Sequence, residues 1–184
     1  EVGANTETLT VTDVNGNVST CTTVVTVEDN VNPVAICQNI TVQLDATGNA
    51  TITPAQVNNG SSDACGIANL SLDITTFNCA NVNGNTVTLT VTDVYNNVST
   101  CTAQVSIEDT INPVAVCQNV TVQLDATGNG STTAALVNNG SSDNCAIASL
   151  ALSQTAFVCS EVGANTETLT VTDVNGNVST CTTV

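Results

Sequence analysis

The sequence predicts an all-β chain of tandem antiparallel β-sandwich domains, about 80 residues each and arranged end to end, and three observations carry that prediction. Strand-like runs alternate with a period of two; the apolar residues are chiefly Val, Ala, Leu and Ile set among abundant Thr and Asn; and long passages repeat. EVGANTETLTVTDVNGNVSTCTTV at Glu1–Val24 recurs unchanged at Glu161–Val184, so the chain returns to its start after 160 residues. PVAICQNITVQLDATGN from Pro33 is answered by PVAVCQNVTVQLDATGN from Pro113, which makes the unit 80 residues and has two slightly different units alternate. Because the sequence opens and closes inside a unit, it is read as a slice of a longer array. Residues 1–31 are then the C-terminal part of one domain, 33–111 a complete domain and 113–184 a nearly complete one.

Each element follows from local pattern. Thr8–Thr12 sets Leu9 and Val11 on one face and Thr8, Thr10 and Thr12 on the other, as expected of a half-buried strand; Thr86–Thr92 and Thr168–Thr172 do the same. The runs from Cys21 and Cys101 alternate again, and DVNGNVS or DVYNNVS between the two runs is a hairpin signal. Acidic linkers end at Pro33 and Pro113, which fit the first residue of an edge strand because proline cannot donate to a ladder. Further strands are expected at Ile36–Leu44, Ala50–Thr53 and Ile67–Ile74.

Charge excludes more than it suggests. There is no Lys, Arg or His against 16 Asp and Glu, a formal charge of -16. Nucleic acid and anionic lipid surfaces are therefore excluded as partners, and no apolar run is long enough for membrane insertion. Enzymatic chemistry that uses His or Lys bases, Ser-His or Cys-His pairs or phosphate-binding cations is excluded too, so the chain is read as a non-enzyme. Oxygen-ligand metal binding remains available.

Nine cysteines stand at 21, 37, 65, 79, 101, 117, 145, 159 and 181, on the same 80-residue period. With no histidine and no CxxC spacing they read as disulfides, which places the chain in an oxidising, extracellular setting. The expected pairs are Cys37 with Cys101 and Cys117 with Cys181, tying first strand to last, and Cys65 with Cys79 and Cys145 with Cys159, closing local loops. Cys21 is left over, its partner expected in a preceding domain.

Pro-Val-Ala-x-Cys at the start of the unit, SSDxCxI in its middle, Phe-x-Cys after that and TLTVTDxxxNVSTC before an acidic linker resemble the hyalin-repeat (HYR) type of immunoglobulin-like domain. Long arrays of this kind resemble the repeat regions of giant bacterial surface adhesins, among them the gliding-motility adhesins of Bacteroidota. The resemblance covers essentially the whole chain. It implies an immunoglobulin-like sandwich in an extracellular filament or stalk used in adhesion at a bacterial cell surface. Its partners are expected to be neighbouring repeats of the same chain, with surface glycans or a host or substratum further out.

The acids recur in register. In an immunoglobulin-like topology the linker residues Glu28, Asp29 and Asn32 converge with Asp63 and Asp93, and one period later Glu108, Asp109 and Asn112 converge with Asp143 and Asp173. Carboxylates with Asn and backbone carbonyls suit calcium, which takes six to eight oxygen ligands. The alternative is that Asp-x-Asn-Gly-Asn and Asp-Ala-Thr-Gly-Asn are simply turns that hydrogen-bond their own backbone. Three functional readings stay open: a calcium-stiffened spacer rod, repeats that each bind glycan or protein, and a self-assembling filament or sheath.

Overall fold

The computed structural model describes residues 2–184. In chain order the strands are β1 (Gly3–Thr12), β2 (Val18–Val27), β3 (Ile40–Gln43), β4 (Asn49–Thr51), β5 (Ile67–Leu72), β6 (Thr76–Asn78), β7 (Asn83–Asp93) and β8 (Val98–Glu108). They continue as β9 (Asn129–Ser131), β10 (Ile147–Leu152), β11 (Ala156–Val158), β12 (Glu167–Asp173) and β13 (Val178–Thr183), with single helical turns α1 (Pro54–Val57) and α2 (Ala134–Val137). The fold class is all-β. The chain forms two compact units, one taking the chain up to Gln38 with Pro54–Asp73 and Val87–Ala103, the other Asn39–Thr53, Ile74–Thr86 and Gln104–Val184.

In the first unit β1 and β2 form an antiparallel hairpin, from Gly3↔Val27 to Thr12↔Val18. Its alternation is as read, but Leu9 and Val11 are 60% and 58% exposed, so the expected half-burial fails in this hairpin. The same sequence motif in β7 buries Val87, Leu89 and Val91, because β7 lies inside a sheet of order β3-β8-β7-β5. Alternation thus fixes which side chains share a face; burial depends on a second layer to cover it. Antiparallel pairing of β5 with β7 and the buried Val57 of α1 complete this core. Cys37 is bonded to Cys101 with 5.8 Å between Cα atoms, and Cys37 also bridges Asn58.

In the second unit β10, β12 and β13 form an antiparallel sheet, while β9 pairs with β11 and β4 with β6. Val137, Leu169 and Val171 are fully buried, and Cys117 and Cys181, bonded to each other, pack against them. β3 pairs with β8 in parallel, Ile40↔Val105 to Gln43↔Glu108, where a wholly antiparallel sheet was expected. The first and last strands of a unit run the same way, so the chain adds to the free edge of β8 in parallel. The strand expected over Ile36–Leu44 shrinks to β3 and single bridges at Val34 and Cys37, and a helical turn at Pro54–Val57 follows β4.

Leu169→Ala should lower unfolding free energy by about 3 kcal/mol in denaturant titration, whereas Leu9→Ala should change it by less than about 0.5 kcal/mol. The two leucines occupy identical sequence contexts and differ only in burial, 0% against 60% exposed.

Two of the expected disulfides are replaced by another. Cys79 is bonded to Cys145, 66 residues on, and Cys65 and Cys159 are exposed and carry no disulfide; nor does Cys21. The local pairs Cys65–Cys79 and Cys145–Cys159 do not form: β5 or β10 carries the chain about 20 Å away from the first cysteine of each pair, and Cys79 meets Cys145 instead. The bond that forms joins one 80-residue sequence unit to the next.

Candidate metal centre

Every acid in the tight turns first serves its own backbone. In the Asp45–Asn49 turn, Asp45 Oδ1 accepts the Thr47 N–H (2.8 Å), the Thr47 hydroxyl (2.6 Å) and the Asn49 N–H (3.1 Å); Asp125 does the same with Thr127 and Asn129. The hydroxyl bond is the foremost cause holding both carboxyls below their ordinary value of 3.8, helped by the backbone bonds. A depressed folded value means stability that is complete above about 3.8 and is lost as pH falls through the lower folded value. Asp125→Asn should therefore flatten the acid limb of the stability profile below pH 4 and leave its slope near neutrality unchanged, as checked by melts across pH.

The hairpin acids do more. Asp173 Oδ1 accepts the N–H groups of Asn175 and Asn177, both at 2.8 Å, and Oδ2 accepts the Asn177 amide at 2.8 Å. That amide also donates to the Asp109 carbonyl at 3.1 Å, pinning the hairpin to the linker. Asn97 makes the same pair of bonds, to Asp93 Oδ2 and to the Asp29 carbonyl. Burial works to raise the Asp93 and Asp173 carboxyls, and the asparagine side-chain and backbone bonds outweigh it, leaving both lowered.

In the second unit Asp109, Asp143 and Asp173 each place a carboxylate oxygen within 4.8 Å of the others. Asp109 is 7% exposed and Asp173 1%, and Asp143 is half-buried. Asp109 Oδ1 accepts the Ile111 N–H and the Asn144 amide, and Asp143 Oδ2 accepts the Cys145 N–H. The remaining oxygens, Asp109 Oδ2 and Asp143 Oδ1, are buried without any hydrogen-bond donor, as are Asn144 Oδ1 and Asn175 Oδ1. Two carboxylates at this spacing repel by about 3 kcal/mol at an effective dielectric of about 20, and the chain has no Lys, Arg or His to relieve it. Buried acceptors with no donors beside uncompensated negative charge have the chemistry that a hard divalent cation requires, and an oxygen-only set of this kind could hold calcium.

The first unit gathers Asp29, Asp63 and Cys65, with the thiol in place of the hairpin acid, so the expected ligand Asp93 is not part of this group; Asp29 Oδ2 is buried and unpartnered. The Cys65 thiol is pushed up, foremost by its hydrogen bond to the Asp29 carboxylate, then by burial and by the charges of Asp29, Asp63 and Asp93. Other expected ligands lie apart. Glu28 is exposed and meets only the Asn30 amide at 3.4 Å; Glu108 is exposed and accepts the Gln43 amide at 2.7 Å; Asn32 and Asn112 are exposed and belong to neither group. Sequence reading missed Asn97 and Asn177, which hold hairpin to linker, and Asn144, which holds Asp109. The recurring Asn four residues after Asp93 and Asp173 is the signal that was available for the first two.

No helix among the described residues is long and apolar enough to cross a membrane. No family model matches the chain, and no curated protein matches it. Among solved structures, the PcdhgB3 EC1-4 chain is similar over 96% of this chain and 62% of its own, at 12% identity and a TM-score of 0.37. The human Desmocollin-1 ectodomain is similar over 90% of this chain and 39% of its own, at 12% identity and a TM-score of 0.27. The chain thus spans less than two thirds of either, and likeness at this level carries no argument about function.

Proposed function

We propose that the chain is a structural spacer from the stalk of an extracellular, cell-surface adhesin, with residues 33–111 one complete repeat and 113–184 a nearly complete one. The observation that carries this reading is the Cys79–Cys145 bond, which ties one 80-residue sequence period to the next within one compact unit of the fold. A unit fastened to its neighbour and nearly identical in alternate positions supplies uniform geometry, which is what a spacer needs. Three disulfides support an oxidising location outside the cell. The acidic groups at Asp109 and Asp29 support calcium as the ion that stiffens each junction. The adhesive contact, for surface attachment or gliding, belongs to another part of the protein.

Deleting an even number of units from the native array should shorten the projecting stalk in proportion while adhesion survives, as read by electron microscopy and a cell-attachment assay. A purified 184-residue fragment that bound surface glycans as tightly as the intact protein would overturn the spacer reading in favour of repeats that each bind.

A further inference from the structure

The two acidic groups occupy the same place in successive 80-residue periods, Asp29 with Asp63 and Asp109 with Asp143, but the side chains around them differ. Position 64 is alanine where position 144 is asparagine, and position 95 is tyrosine where position 175 is asparagine. Asn144 donates its amide to Asp109 Oδ1 at 3.3 Å and to the Asp45 carbonyl at 3.2 Å. The oxygen and nitrogen of one amide share a carbon and a plane, so Asn144 Oδ1 lies beside the same carboxylate. It is buried with no donor, as is Asp109 Oδ2. Asp109 and Asp173 are themselves more than nine-tenths buried, so bulk water does little to satisfy these oxygens.

The number of carboxylates differs too. Asp109, Asp143 and Asp173 meet in the second unit, whereas Asp93 stands outside the first unit's group and leaves two carboxylates there. Calcium affinity follows the charge of the ligand set and the rigidity of the site. The second group leads on both counts, with a third carboxylate and an Asp109 carboxyl held by Asn144.

We propose that Asn144 Oδ1 joins the Asp109, Asp143 and Asp173 carboxylates as a ligand for calcium, and that this group binds the ion at least about tenfold more tightly than the group at Asp29 and Asp63. The inference rests on the calcium reading above and adds a rank to it. Because the two kinds of period alternate, calcium at a concentration between the two affinities fills every second acidic group, and the chain stiffens in two stages.

The full 184-residue chain carries its own probe. Tyr95 is the sole tyrosine, there is no tryptophan, and Tyr95 lines one surface hollow with Asp29. Terbium, a hard trivalent stand-in for calcium, emits when a nearby phenol is excited, so sensitised emission reports the Asp29 group while calorimetry reports both. The first equivalent of terbium should give heat with little emission, and emission should rise with the second. Calcium calorimetry should show the same two steps. Asn144→Ala should weaken the tight step about tenfold, whereas Asn144→Asp, which keeps an oxygen and loses the amide donor, should retain it. Ala64→Asn should tighten the weak step. Emission rising with the first equivalent, two equal calcium steps, or Asn144→Asp binding as weakly as Asn144→Ala would each overturn this proposal and leave the calcium reading standing. No heat with either ion would overturn both.

Discussion

Replacing Cys117 and Cys181 together by alanine is expected to lower unfolding free energy by about 4 kcal/mol, the chain-entropy value for a loop of this length. The pair closes a sequence separation of 64 and packs against Val137, Leu169 and Val171, so lost packing adds to the entropic effect. Few other contacts compensate, because the large side chains of the buried core are limited to Phe77, Phe157 and a handful of aliphatics. Denaturant titration checks this. A drop below about 1 kcal/mol would mean that the unfolded chain is already restrained, by Cys79–Cys145 for example.

The second large effect is calcium. At about one hundred times its Kd the ion should add about 2.7 kcal/mol, moving the melting temperature by the order of 10 °C, and chelation should reverse it. The double variant Asp109→Asn, Asp143→Asn separates this from general charge screening. It removes repulsion within the acidic group, so without calcium it should melt at or above the parent, and its calcium response should fall to what the Asp29 and Asp63 group supplies. A parent protein indifferent to calcium would leave the carboxylates as turn-formers alone.

Much of this architecture is legible in the sequence because its signals are local. Thr86–Thr92 declares its two faces by period two, and the hairpin turns declare themselves by Asp and Asn spacing. Burial of the β1 hairpin was not legible, since alternation says nothing about whether a second layer is present. Nor was the cysteine pattern. A spacing of 14 within a unit and one of 66 between units obey the same period, so the period cannot choose between them and the three-dimensional course of the chain does. At the acidic groups, topology brings Asp109, Asp143 and Asp173 together, while Glu108, the last residue of β8, is exposed on the face opposite the buried Ile107 before it.

The Cys37–Cys101 and Cys117–Cys181 disulfides also set how far the molecule can be pulled. Along the peptide, a period from Cys37 to Cys117 is 80 residues, which fully drawn out would reach about 270 Å at roughly 3.4 Å per residue. Cys37–Cys101 shunts tension past everything between them, leaving only the 16 residues from Cys101 to Cys117 and a 5.8 Å bridge in the path. Even with every hydrogen bond broken, the oxidised chain could lengthen to no more than about 60 Å per period. Under drag, such a molecule behaves as a tether of nearly fixed length, and reduction of one bond per unit would turn it into a spring several times longer.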